Sequence, residues 1–155
     1  MNAIVQKRYF TVEEANQRLP LVKRIVGDIV QLYGEINERR ERLIDIRQRS
    51  GSTGSSSHNM YGEEVDEMER EVNKDIDRYK EYLDELTGLD IELKDPEKGL
   101  IDFLSIQNDR EVYLCWQLGE EEIGFWHELG AGFSGRQSLL EILTPHSPEE
   151  EEEEQ

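Results

Sequence analysis

Apolar positions in the first half of the chain recur at intervals of three and four. From Val22 they fall at Ile25, Ile29, Leu32, Ile36, Leu43 and Ile46, interrupted by Arg39, and a second series runs Val65, Met68, Val72, Ile76, Tyr79, Leu83 and Leu86 up to Thr87-Gly88. This spacing places one apolar stripe along each of two long helices, and Thr87-Gly88 is a reasonable C-cap for the second. Between the stripes, RSGSTGSSSHN from Arg49 to Asn59 has nothing to bury, which predicts a flexible tip joining the helices into an antiparallel hairpin. Ahead of the first stripe, Thr11 and Glu14 form a capping-box pattern, with Phe10 set to staple against Ala15. Pro20 lacks an amide hydrogen and disfavours helical geometry at Leu19. The capped N-terminal helix is therefore predicted to be short, stopping or kinking before Pro20, where a new helix can start.

After Gly88 the period falls to two. Leu89, Ile91 and Leu93 alternate with Asp90, Glu92 and Lys94, and Asp95-Pro96-Glu97-Lys98-Gly99 has the composition of a turn. Leu100 to Ile106, Glu111 to Leu118 and Ile123 to Leu129 are β-rich runs split by QNDR and GEEE. They predict an antiparallel meander. An even-numbered loop around Asn108 and Asp109 pairs Phe103 with Leu114 and Asp102 with Cys115. An even loop over 119–122 would likewise set Trp116 against Phe125 or Ile123, and Cys115 against Trp126 or the residue two positions along on the same face. One face then carries Phe103, Leu114, Trp116, Phe125 and His127 and wants a core. The other carries Leu100, Asp102, Leu104, Ile106, Tyr113, Cys115, Trp126 and Glu128, half apolar and half ionisable. The fold class is α+β: a long antiparallel helical hairpin packed on one face of an antiparallel β-meander of about four strands, with a short capped N-terminal helix. Residues 137–143 read as a short helix.

With 155 residues the chain is one domain, residues 1–143, followed by an acidic tail over 144–155 expected to be disordered. The net charge is −18, and Glu149 to Glu154 account for six of those charges, leaving the body near −12. Such a field repels phosphate backbones, so no nucleic-acid partner is expected. The hairpin arginines face an acidic run and have no interleaved aromatic side chains, which points the same way. A single Cys115, no apolar run of membrane-spanning length and no charged-then-apolar leader lead to the expectation of a cytoplasmic protein with no membrane partner and no disulfide framework.

Candidate chemistry concentrates in residues 99–136, which hold both tryptophans, three of four phenylalanines, the only cysteine and half the glycines. Asp102, Cys115 and Glu128 project from three adjacent strands, but a mixed Asp/Cys/Glu set matches no common zinc pattern, and neither metal nor cofactor is expected. His127 lies near a strand end on the apolar face. Gly130 to Gly135 matches G-x-G-x-x-G without the crossover helix and parallel strand of a dinucleotide site. It reads as a turn, or as a backbone-amide nest with Arg136 as a planar donor. The candidate ligand-binding residues are Asp102, Trp126, His127, Glu128 and Arg136. No catalytic set can be assembled from spacing.

Four segments, FTVEEAN, ELKDPEKGLIDF, LCWQLGE and FWHELGAGFSGR, together resemble the bacterial domain of unknown function 2203 family from Phe10 to Arg136. The resemblance implies a small cytoplasmic protein with no assigned reaction, cofactor or catalytic residue. In the family pattern an acidic residue commonly stands where this chain has Gly130. Two functional classes follow from the residues. One is a non-catalytic binding or assembly module that uses the second sheet face, most simply as a homodimer through Leu100, Leu104, Ile106, Tyr113 and Trp126. The other is a small-ligand or metal-dependent activity centred on Asp102, Glu128, His127 and Arg136.

Overall fold

The computed structural model describes residues 7–52 and 58–140. Helix α1 (Val12–Ser52) and helix α2 (His58–Gly88) form the hairpin, followed by strands β1 (Ile91–Asp95), β2 (Leu100–Gln107), β3 (Arg110–Gln117), β4 (Phe125–Glu128) and β5 (Gln137–Ser138). The strands make one sheet in the order β1-β2-β3-β4-β5, every pair antiparallel. The fold is α+β, as the periodicities predict, with five strands. The fifth takes up the first two residues of the stretch expected as a short helix over 137–143, because Gln137 and Ser138 pair with Trp126 and Phe125; residues 141–143 of that stretch lie outside the described residues. The helices run into the stretch expected as a flexible tip, whose centre, like the acidic tail, lies outside the described residues.

The capping box forms as expected. The Glu14 amide donates to Thr11 Oγ1 at 3.0 Å and the Thr11 amide to Glu14 Oε1 at 3.1 Å. The separate short N-terminal helix does not form, because α1 passes through Pro20 without ending. A proline costs an interior helix roughly 3 kcal/mol, but Leu19 and Val22 on either side are buried in the main core, which offsets that cost. Farther along, the arginine that interrupts the apolar stripe has a partner: Arg39 forms an ion pair with Asp75 across the hairpin.

The core lies between the near half of the hairpin and one face of the sheet. Phe10, Val22, Val26 and Ile29 meet Leu86, Ile101, Phe103, Leu114, Trp116 and Trp126 there. Phe10 is held by its backbone as well, since its amide donates to Leu104 O at 2.8 Å and its carbonyl accepts from Ser105 Oγ at 2.6 Å. Gly99 closes the β1–β2 turn at φ 70, directly under α1, where an added Cβ would come within 2.8 Å of Leu118 Cβ. Only glycine combines that conformation with that approach.

The β2–β3 hairpin turns on Asn108 and Asp109, both at positive φ, and pairs Phe103 with Leu114 and Asp102 with Cys115 as predicted. The next hairpin departs from expectation. Leu114 pairs with Trp126, Tyr113 with His127 and Cys115 with Phe125. The connection is thus odd, and β4 shows the opposite faces from those expected: Trp126 joins the core, and His127 turns to the second face. Two sets of contacts hold this register. Trp116 Nε1 donates to Glu120 O and the Gln117 amide to Glu120 Oε1, folding the chain tightly after β3. The Ile123 amide then donates to Asn16 Oδ1 of α1 at 2.8 Å, which pins the connection before β4 begins.

Candidate functional site

The reversal of β4 assembles a site on the second face that the expected parity kept apart. β2 contributes Asp102, β3 contributes Cys115 and β4 contributes His127, and all three are at most 3% exposed. His127 Nε2 lies 2.9 Å from Asp102 Oδ2, and His127 Nδ1 lies 2.8 Å from the carbonyl oxygen of Glu128. A carbonyl only accepts, so Nδ1 carries a hydrogen. Nε2 and a carboxylate oxygen would then both be acceptors, and one proton has to lie between them. The pair is therefore an imidazole with a carboxylic acid, or an imidazolium with a carboxylate, and is neutral overall either way.

Asp102 Oδ1 is buried with no hydrogen-bond partner among the described residues. The Cys115 thiol, a weak donor, interacts with the same carboxyl group. Burial pushes the Asp102 carboxyl above its ordinary value, against the downward pull of the His127 hydrogen bond. Burial also pushes the Cys115 thiol up to about 12, and the charge of Asp102 acts in the same direction. A thiol so placed is protonated at neutral pH and is a poor nucleophile in the free protein.

Asp102 and His127 line a cleft of about 210 Å³ shared with Lys94, Leu100, Tyr113, Leu129, Gly130, Gly132 and Phe133. Its rim is the glycine-rich stretch, which ends in a 3-10 turn at Phe133–Gly135. The Tyr113 ring lies 5.5 Å from that of His127, with Lys94 Nζ 5.2 Å from the Tyr113 ring centre. A hydrogen bond to Glu92, with burial second, takes the Tyr113 phenol up to about 12. A wider groove of about 570 Å³ along β1, reaching Lys7, Arg8, Thr87 and Asp90, holds no buried ionisable pair.

Of the five candidate residues, the structure brings Asp102 and His127 together, while Arg136 lies over Phe125, the β4 partner of Cys115. The Arg136 guanidinium stacks 3.8 Å from the centre of the Phe125 ring and donates through Nη2 to both carboxylate oxygens of Glu120 at 2.7 and 2.9 Å. It braces the loop through Nη2, while its Nε is buried without a hydrogen-bond partner among the described residues. Trp126 belongs to the core, and Glu128 points away from the cluster to an exposed ion pair with Arg110. The Asp102/Cys115/Glu128 grouping is thus corrected to Asp102/Cys115/His127. Sequence reasoning left Cys115, Lys94 and Tyr113 off the candidate list. The alternation of β3 put Tyr113 and Cys115 on the face of Asp102, but only the parity of the next connection shows that His127 joins them.

A protein-family model, described as an uncharacterized conserved protein (DUF2203), matches residues 8–139, a span that includes the whole cleft and its floor. No curated protein and no solved structure matches the chain.

Proposed function

We propose, for a chain that belongs to the DUF2203 family, that it is a non-catalytic binding module whose ligand enters the cleft between the second sheet face and the 129–135 loop. The observation that carries this reading is the Asp102–His127 pair, buried at the cleft floor with one carboxylate oxygen unsatisfied. A buried ionisable pair is a weak stabiliser, and apolar residues of the same volume would pack that face as well or better. A lone acceptor at a cleft wall is completed by a ligand that supplies a donor or a positive charge. The cleft has room for a molecule no larger than an amino acid, and Lys94 and Tyr113 add a cation and a ring to its lining.

Thermal melting of the full chain with small amines, amino alcohols, amino acids and divalent cations tests the reading, because a ligand that binds only the folded state raises Tm. The control is Gly130→Phe, at a residue of the cleft lining where an added Cβ meets nothing within 4 Å, so that a bulky ring is tolerated at the cleft mouth. At least one compound is expected to raise the Tm of the wild type and not of the variant. Equal shifts in both proteins, or none in either, would overturn it.

The same proposal puts the protein in the cytoplasm; the free, buried Cys115 thiol supports this reading, since a reducing environment keeps such thiols intact. No helix among the described residues is long and apolar enough to cross a membrane. Homodimerisation through the second face is the companion reading. Leu100 and Trp126 are buried within the protomer, so its support reduces to Leu104, Tyr113 and Ile106, the last 48% exposed. A two-chain mass by sedimentation at micromolar concentration supports it, and a one-chain mass ends it.

A further inference from the structure

We propose that Asp102, Cys115 and His127 bind a single transition-metal dication, zinc in preference to magnesium or calcium, with the remaining coordination position open to the cleft. This rests on the cleft reading and names the ligand held at its floor.

The three side chains offer a carboxylate oxygen, a sulfur and an imidazole nitrogen, all within 4.8 Å of one another. Bonds of about 2.0–2.3 Å at tetrahedral angles leave donor atoms roughly 3.2–3.8 Å apart, so side-chain shifts on the order of 1 Å close the cluster on an ion. Thiolate with imidazole selects zinc over the hard cations, which take oxygen ligands. Three protein donors and one open position is the pattern of zinc sites that accept an exogenous ligand. Here the opening is supplied by the cleft, which Asp102 and His127 both line.

Two further observations point to a cation. The Nδ1 hydrogen of His127 is committed to the Glu128 carbonyl, which leaves Nε2 as the ring nitrogen that faces the cluster and becomes a donor atom once the shared proton is displaced. Metal-ligating histidines are commonly oriented in this way, through a hydrogen bond from the other ring nitrogen to a backbone carbonyl or carboxylate. In addition, Asp102 Oδ1 is buried, unpartnered and part of the same group. Charge balances on loading: the ion displaces the proton between Asp102 and His127 and the proton of the Cys115 thiol. The dication is then matched by one carboxylate and one thiolate, and the buried site stays neutral.

The test is titration of the chelator-treated full chain with cobalt(II) as a spectroscopic stand-in for zinc. One equivalent should give the strong d–d bands of a tetrahedral ion and a sulfur-to-cobalt charge-transfer band, and zinc should abolish both. Cys115→Ser, close to isosteric, should lose the charge-transfer band and bind more than about 100-fold more weakly, beyond the 10- to 100-fold effect of losing an outer partner. Circular dichroism of the variant checks that it is folded, and the wild-type titration stands without it. Cobalt taken up without a charge-transfer band, as by surface carboxylates, or not taken up at all, would overturn the inference. If metal fails while an organic compound shifts the wild type and not Gly130→Phe, the metal site is lost and the binding cleft remains.

Discussion

Asp102 is 2% exposed, and burial holds its carboxyl above the ordinary value of 3.8. A carboxyl raised in the folded state binds its proton more tightly there than in the unfolded chain. Its stabilising contribution is present below the ordinary value and is lost as pH rises through the folded value. Asp102→Asn removes that dependence and keeps the contact, because the Asn amide can donate to Nε2 of a neutral His127 whose Nδ1 hydrogen stays on Glu128. Denaturant midpoints without added metal should therefore be similar near pH 4, with the variant ahead by on the order of 1 kcal/mol at pH 7. A variant less stable at every pH would mean that the carboxylate is there for structure. Glu128→Gln, which alters only an exposed ion pair with Arg110, should leave the midpoint unchanged. Asp102 was legible as an ionisable residue among apolar neighbours on β2. His127 was legible as a candidate but was assigned to the wrong face.

That face was decided by the connection between β3 and β4. Local chemistry revealed the other turns: the Thr11 and Glu14 cap, the Asp95 carboxylate accepting from the Glu97 amide, and Asn108-Asp109 at positive φ. Each is a signal within four residues. The β3–β4 register rests on the local fold around Glu120 and also on Asn16 receiving the Ile123 amide, a contact between residues 107 positions apart, which no local pattern reveals. Asn16→Ala should cost about 1–3 kcal/mol, because it leaves a largely buried amide without an acceptor. Trp126, expected on an outer face, now belongs with Trp116 in the core. Truncation of either to Ala should cost roughly 3–5 kcal/mol in a urea titration. A much smaller loss at Trp126 would mean that β4 reverts to the even register in solution. The continuity of α1 was hidden for a related reason, since the local penalty at Pro20 is outweighed by long-range burial on both sides of it.

Across the molecule, the sheet covers only the near half of the hairpin. At about 1.5 Å per residue, the 41 residues of α1 extend roughly 60 Å, yet the α1 side chains of the main core end at Ile29, with Val30 packed against it. Beyond them, among the described residues, the two helices pack on each other: Leu32, Ile36, Leu43 and Val72 along the seam, the Arg39–Asp75 and Arg47–Glu69 pairs, and a gap of about 390 Å³ beside Leu43, Val72 and Ile76. Stability in such an arm is graded, with local opening easiest where the fewest apolar side chains meet. Native-state hydrogen exchange should resolve it as two units: amides of 36–49 and 62–75 opening at a small fraction of the global free energy, and those of β2, β3 and α1 near Val26 exchanging only when the whole chain unfolds. A ligand held at the cleft would then slow the second group and leave the first untouched.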